Sequence, residues 1–276
     1  MADLSIMDDF RTSLSENWKR IIVGASSVVG FVLIWYLVAL QLHTSGSAKS
    51  PFLPYPQDVA EALIRSFTHR DPEFGTFMPA LIENSLARII IGFLLAFVVA
   101  LPLGLLMGAI RLVEDIGKPL VEMIRPIPPI AWTPVFMFAF LSFWGPIAVV
   151  FIGAFFPILL NIIFGVKSVD PILLDAARSL GARRRDLFAK VIIPSMVPYM
   201  MTGVKVGLGI AWMCIVAAEL LPIKGSGLGN YIWTWADIGQ FDKVYAGMIV
   251  VGILSVLTML FAELIERRIS KWMGMK

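Results

Sequence analysis

Leu86-Ala-Arg-Ile-Ile-Ile-Gly-Phe-Leu-Leu-Ala-Phe-Val-Val-Ala-Leu-Pro-Leu-Gly-Leu-Leu-Met-Gly-Ala109 holds one charge in 24 residues. About 20 mostly apolar residues cross the hydrocarbon core of a bilayer as a helix. Lipid offers no partner to a free backbone amide, so such a run predicts a spanning α-helix. A barrel strand would alternate apolar and polar side chains, and this run does not. Similar runs at Ile21–Gln41, Pro126–Phe143, Pro146–Val166, Tyr199–Leu221 and Val244–Glu263 bring the expected spans to six. With 58% hydrophobic residues and a mean hydropathy of +0.82, the chain reads as an all-α polytopic membrane helix bundle. Residues 1–20 form a polar lead and residues 21–276 the bundle.

Lys and Arg collect in cytoplasmic flanks, and here they divide unequally between the two sides. Arg11, Lys19, Arg20, Arg111 and Lys118 fall on one side, with Lys167, Arg178, Arg183, Arg184, Arg185, Lys190, Arg267, Arg268, Lys271 and Lys276. The other side has only Lys49, Arg65, Arg70, Lys224 and Lys243. An even number of spans then puts both termini in the cytosol. The net charge of +3 is thus a topology signal, and no basic face suited to nucleic acid is formed. Cys214 is the only cysteine, and His43 and His69 share an outer segment, 42–85. Neither a disulfide framework, a metal-ligand spacing nor a nucleophile with its base can be assembled.

Two interruptions break the apolar pattern. The first is Arg125-Pro-Ile-Pro-Pro-Ile-Ala-Trp-Thr-Pro134, four prolines at expected membrane depth. Each removes a backbone donor and disfavours helix in the residue before it. Such a segment is tolerated where it lines a protein-walled cavity, which makes Trp132 and Thr133 candidates for a route, with core packing as their alternative. The second is the polar insert 167–194. Asp170 reads as an N-cap with Pro171 at the first helical position, followed by a helix Ile172–Leu180. Gly181 ends it by taking positive φ, and a second helix, Arg183–Val191, runs until Pro194. Leu173, Leu174, Ala177, Leu180, Leu187 and Phe188 could form an apolar ridge, and small residues at Ala176 and Ala177 would let another surface approach.

Ionisable groups within spans cost roughly 2.5–3.5 kcal/mol each at the centre. Lys205 is expected to snorkel or to contact an anion, Glu219 to serve structure or an outer gate. Arg88 and Arg125 are interfacial anchors or keep an anion route electropositive. Asn161 is expected to bond between helices, and Trp212 to line the route or pack.

Asp175-Ala-Ala-x-x-x-Gly181, nine residues, then Val191-Ile-Ile-Pro194 resembles the EAA loop of permease subunits of binding-protein-dependent ABC importers, with Asp where that motif usually has Glu. Ser85-Leu-Ala-Arg-Ile-Ile-Ile-Gly92, Arg125-Pro-Ile-Pro-Pro129, Gly153-Ala-Phe-Phe-Pro-Ile-Leu-Leu-Asn161, Gly165-Val-Lys-Ser-Val-Asp-Pro171 and Ala211-Trp-x-x-x-Val-Ala-Ala-Glu219 are similar to the nitrate, sulfonate, taurine and bicarbonate branch. The resemblance covers roughly 85–229. It implies a type I importer permease fold in the cell inner membrane and a pore of two permeases, taken as two copies of this chain. It also implies two cytosolic ATPases that use ATP and Mg, and an extracytoplasmic binding protein that delivers substrate. Asp170, Leu174, Asp175, Ala176, Ala177, Ser179, Leu180, Gly181 and Arg184 would then seat on the ATPase. Arg88, Arg125, Trp132, Thr133, Asn161, Lys205, Trp212 and Glu219 would border the substrate route.

No Gly-x-x-x-x-Gly-Lys-Ser/Thr sequence is present to cradle phosphates, so neither nucleotide nor any other cofactor is expected on this chain, and it is not an enzyme by itself. Gly225-Ser-Gly-Leu-Gly229 reads as a flexible return before Tyr231, Trp233 and Trp235 at the membrane interface. The other class considered is a self-contained channel or secondary transporter. Such folds show two halves with matched broken helices, and only one proline-broken segment occurs here.

Overall fold

The computed structural model describes residues 2–48, 50–220 and 227–272. Lys49, Leu221, Lys224, Gly225 and Lys276 lie outside them. The described residues are helical with no strand: α1 (Ala2–Thr44), α2 (Pro56–Thr68), α3 (Met78–Ala109), α4 (Arg111–Ile124), α5 (Thr133–Lys167), α6 (Pro171–Ser179), α7 (Arg184–Leu187), α8 (Ile193–Glu219), α9 (Leu228–Ile238) and α10 (Phe241–Trp272). Five stretches are long and apolar enough to cross a membrane: Ile22–Thr44, Met78–Ala109, Phe143–Lys167, Arg184–Glu219 and Phe241–Lys271. Two compact units divide the chain, one of Met1–Arg65 with Trp235–Ala246 and one of Ser66–Thr234 with Gly247–Lys276.

The larger unit is built on α3, the second part of α5, and α8. Small residues recur every fourth position on α3 at Gly92, Ala96, Ala100, Gly104 and Gly108, so they line one face. Lipid gives helices no hydrophobic reason to associate, and close backbone approach at small residues supplies the contact instead. A Cβ at Gly92 would fall 2.7 Å from the Ile147 carbonyl oxygen, one at Gly104 2.7 Å from Ile162 Cγ2, and one at Gly108 2.7 Å from Val166 Cβ. The contacts advance together along both chains, so α3 and this part of α5 run parallel. On the other face of α5, Gly153 meets Cys214, Gly207 meets Ile158, and Gly165 meets Met196. The order is reversed, so α8 is antiparallel. Ile158, Leu159, Ile162 and Ile215 are fully buried in this layer.

Two parallel neighbours require the chain to travel back between them, and this corrects the expected third span. Pro126–Phe143 is not one spanning helix. Amphipathic α4 precedes the return, which is composite: an irregular turn, a 3-10 segment at Pro129–Trp132, and the first part of α5. Only Pro129–Phe140 is apolar and helical there, and it is shorter than a span. Helix α5 is hydrogen-bonded from Thr133 to Lys167, yet a Cβ on Gly145 would lie 3.0 Å from Met137 Cα. Eight residues of straight helix would separate the two by about 12 Å. Helix α5 therefore doubles back on itself before its second part descends beside α3. Four prolines explain why no single helix forms, since each removes a donor from the ladder.

Pro194 does not stop the helix that precedes it, contrary to the sequence expectation. Helix α7 passes through a π turn at Phe188–Ile192 into α8, and Ile193 N–H bonds to the Phe188 carbonyl, five residues back. A proline in a regular turn clashes with the carbonyl four residues earlier. The widened turn removes that clash, and Pro194 sits in the first turn of α8, where its missing donor costs nothing.

In the smaller unit α1 is one continuous helix, so the polar lead and first span join without a break. Its apolar side chains from Ile22 onward are largely exposed, as suits a helix facing lipid. Trp35 Nε1 donates to the Pro54 carbonyl (3.0 Å), His43 stacks on Tyr55 (4.6 Å between centroids) and Phe52 meets Phe241 edge-on (4.8 Å).

Candidate functional site

The insert between α5 and α8 is a capped helix standing clear of the bundle. Asp170 accepts a hydrogen bond from Ile172 N–H (2.8 Å) and Pro171 opens α6. At the other end Gly181 has φ +82°, and Ala182 N–H bonds back to the Ala177 carbonyl (3.0 Å), a six-to-one closure of the last turn. Asp175 is paired with Arg178 (2.9 Å) on the helix's own surface, and Ser179 Oγ donates to the Asp175 carbonyl. Ile172 is 74% exposed and Leu180 89%. Leu173 and Ala176 are exposed too, whereas Leu174 and Ala177 are half-buried. The expected ridge is therefore split. Leu187 turns inward and is buried, leaving α6 with its own exposed apolar residues. Arg184 and Arg185 border a space of about 430 Å³ beside Leu105, Leu106 and Ala109 at the end of α3.

The membrane charges sort into pairs. At the N-terminal end of α3, Arg88 Nη1 donates to Glu219 Oε1 (2.7 Å) and Ser85 Oγ to Glu219 Oε2 (2.7 Å). Gly229 N–H reaches the same Oε2 (3.1 Å), and Leu228 N–H donates to Ser85 Oγ (2.9 Å). Arg88 is 6% exposed and Glu219 4%, so the guanidinium is consumed by a carboxylate. Lys205 Nζ pairs with Glu266 on α10 (2.8 Å), and Trp212 Nε1 donates to Thr258 Oγ1 (2.9 Å) on the same helix. Among the described residues Asn161 makes no hydrogen bond to another helix. Its Nδ2 donates to the Pro157 carbonyl (2.8 Å) on its own helix. Asn161 does meet Arg125 across a cavity of about 390 Å³ walled by Pro129, Gly153, Pro157 and Val206. Trp132 stacks on Phe136 (5.6 Å), and its buried Nε1 and the buried Thr133 Oγ1 have no hydrogen-bond partner among the described residues.

Residues 100–271 match the family described as the inner membrane component of binding-protein-dependent transport systems. The chain belongs to this family. The permease is 41% identical over 267 residues to an ABC transporter permease of Methanocaldococcus jannaschii, covering 95% of this chain and 96% of the relative. It is 33% identical to the taurine transport system permease protein TauC of Escherichia coli (93% and 91% covered). Against the nitrate import permease protein NrtB of Synechocystis it is 34% identical (90% and 88% covered). Its fold matches a chain of the inward-facing MetNI methionine ABC transporter with a TM-score of 0.59 at 19% identity, over 70% of this chain and 95% of that one. The fold is that of a type I importer permease.

Several residues that build this permease's sites escaped the sequence reading. Ser85, Leu228 and Gly229 complete the Arg88–Glu219 cluster, and the glycines there are tightly packed rather than flexible. A Cβ on Gly227 would lie 2.4 Å from the Glu219 carboxylate, and one on Gly229 2.3 Å from the Val216 carbonyl oxygen. Tyr231 (1% exposed) and Trp235 (2%) are buried; of the three expected interface rings only Trp233 is exposed. The available signal was the Gly-x-Gly spacing at 227–229, which suits a backbone that must approach a charge closely.

Proposed function

We propose that two copies of this permease form the route of an ATP-driven importer for a small anion or zwitterion of the nitrate, sulfonate, taurine or bicarbonate class. An extracytoplasmic binding protein delivers the substrate, and two cytosolic ATPases hold and hydrolyse MgATP. The substrates named for the taurine and nitrate relatives support the class, and the run of bases at Arg183, Arg184 and Arg185 supports a cytosolic insert. Counting the composite stretch 125–142 as a crossing, the chain passes six times through the inner membrane and both termini are cytosolic.

One observation carries the reading: α6 is capped at both ends, yet leaves Ile172, Leu173 and Leu180 in solvent. A rigid helix with an uncovered apolar side is suited to a groove on another protein. ATP binding brings the ATPases together, their grooves carry the α6 helices, and the bundle shifts between outward- and inward-facing states by differential binding. Moving such an equilibrium from 1:99 to 99:1 needs about 5.5 kcal/mol, all of it transmitted through this contact. Ala177→Arg places a long charged chain on α6, and Gly181→Pro removes the left-handed turn. Both variants are expected to insert in the membrane normally and to lose copurification of the ATPase. Undiminished ATPase binding in both would remove the mechanism.

A further inference from the structure

Arg125 stands apart from the other charges at membrane depth. Arg88 has Glu219 and Lys205 has Glu266, each at hydrogen-bond distance, whereas Arg125 forms no ion pair among the described residues. The cavity it shares with Asn161 has no carboxylate in its walls. On its other side Arg125 borders a second space of about 590 Å³ that holds Glu114 and Glu122. Glu114 is already bonded to Lys167, and Glu122 faces Lys118 at 3.9 Å. Both carboxylates thus face lysines, and the Arg125 guanidinium is left over.

Its depth follows from its neighbours. Asn161 lies six residues and Pro157 ten residues before Lys167 at the end of α5, about 9 and 15 Å along the helix. Arg125 itself is exposed at the end of α4 and borders both spaces, so its guanidinium faces this depth from the open side, where a cation marks an ion route. A guanidinium offers a planar fork of donors that matches two oxygens of a nitrate, sulfonate or carboxylate group. The Asn161 carboxamide retains one N–H and its oxygen after bonding to Pro157. A zwitterion's ammonium could use that oxygen. Walls of Pro129, Gly153, Pro157 and Val206 add no competing charge, and the irregular backbone after Arg125 is what lets its side chain reach this cavity.

We propose that Arg125 is the intramembrane anion contact of the route, holding the oxyanion end of the solute with Asn161 beside it. This rests on the substrate class given under Proposed function. The test is uptake of labelled nitrate and labelled taurine into vesicles holding the permease with its ATPases and binding protein, with Arg125→Gln, Arg125→Lys and Asn161→Leu beside the wild type. Loss of one charged hydrogen-bonding group predicts roughly a ten- to hundred-fold slower uptake for Arg125→Gln, with partial recovery in Arg125→Lys and an intact complex by size exclusion. For Asn161→Leu, taurine uptake falls more than nitrate uptake.

Equal uptake by wild type and Arg125→Gln overturns the proposal alone. Full uptake with a lowered melting temperature overturns it as well, and leaves the guanidinium a role in stability alone. A dissociated complex in both Arg125 variants overturns it by making the residue structural. A wild type that takes up neither solute overturns the substrate class, and with it this proposal.

Discussion

Arg88 and Glu219 are 131 residues apart in sequence and 2.7 Å apart in space, both buried. Glu219 ends α8, where the helix dipole disfavours a carboxylate. Arg88, Ser85 and Gly229 N–H offset that, and together they fasten the start of α9 to α3 and α8. Breaking a buried pair by removing one partner costs about 3–5 kcal/mol, whereas replacing both with apolar residues is often near neutral. Glu219→Ala should therefore lower the melting temperature of the purified permease sharply, and the double variant Arg88→Met/Glu219→Leu should recover most of the loss. A double variant as unstable as the single one would show that the pair is not the unit.

Backbone approach at the small-residue stripe makes a second expectation. Gly92→Leu has no room against the Ile147 carbonyl and Val150 and should disrupt packing, while Gly24→Leu, whose Cβ meets nothing within 4 Å, should be silent. Overpacking costs typically 1–3 kcal/mol, and thermal unfolding in detergent would measure it.

Glu114 links α4 to the end of α5, and its carboxyl is held below the ordinary 4.5 chiefly by the hydrogen bond from Lys167, against an opposing effect of burial. A depressed folded-state pKa contributes stability that is present above the unfolded value and lost as pH falls through the folded one. Melting temperature should thus drop as the medium is acidified below that range, and Glu114→Gln should flatten the drop. An unchanged pH profile in the variant would remove the link.

The π turn at Phe188–Ile192 predicts a local weak point between α6 and α8. Amide exchange should be faster at 188–193 than in the middle of α8, and Pro194→Ala, which lets the widened turn close to regular helical pitch, should slow it. Equal protection in both forms would count against this reading.

What the sequence made legible was local or compositional. Asp170, Pro171 and Gly181 define α6 because caps act within a few residues, and spans follow from apolar run length. Pairings between distant helices had no such signal. Arg88 and Glu219 each read as a lone membrane charge, and so did Lys205 without Glu266. The third span failed because hydropathy counts apolar residues and not backbone donors, so Pro126–Phe143 scored as a span that its prolines could not form. Pro194 misled in the opposite direction, since a π turn lets a helix pass a proline.

In the proposed mechanism α6 is the contact through which the ATPases move the bundle. Cys214 is the only cysteine and is buried, so Cys214→Ser gives a thiol-free background for Ala177→Cys. In inside-out vesicles holding the importer, a short bifunctional thiol reagent should join this site to a thiol of the ATPase, with a yield that changes when ATP is added. Labelling of the site by a membrane-impermeant reagent from outside the cell, or a product confined to the permease itself, would contradict the account.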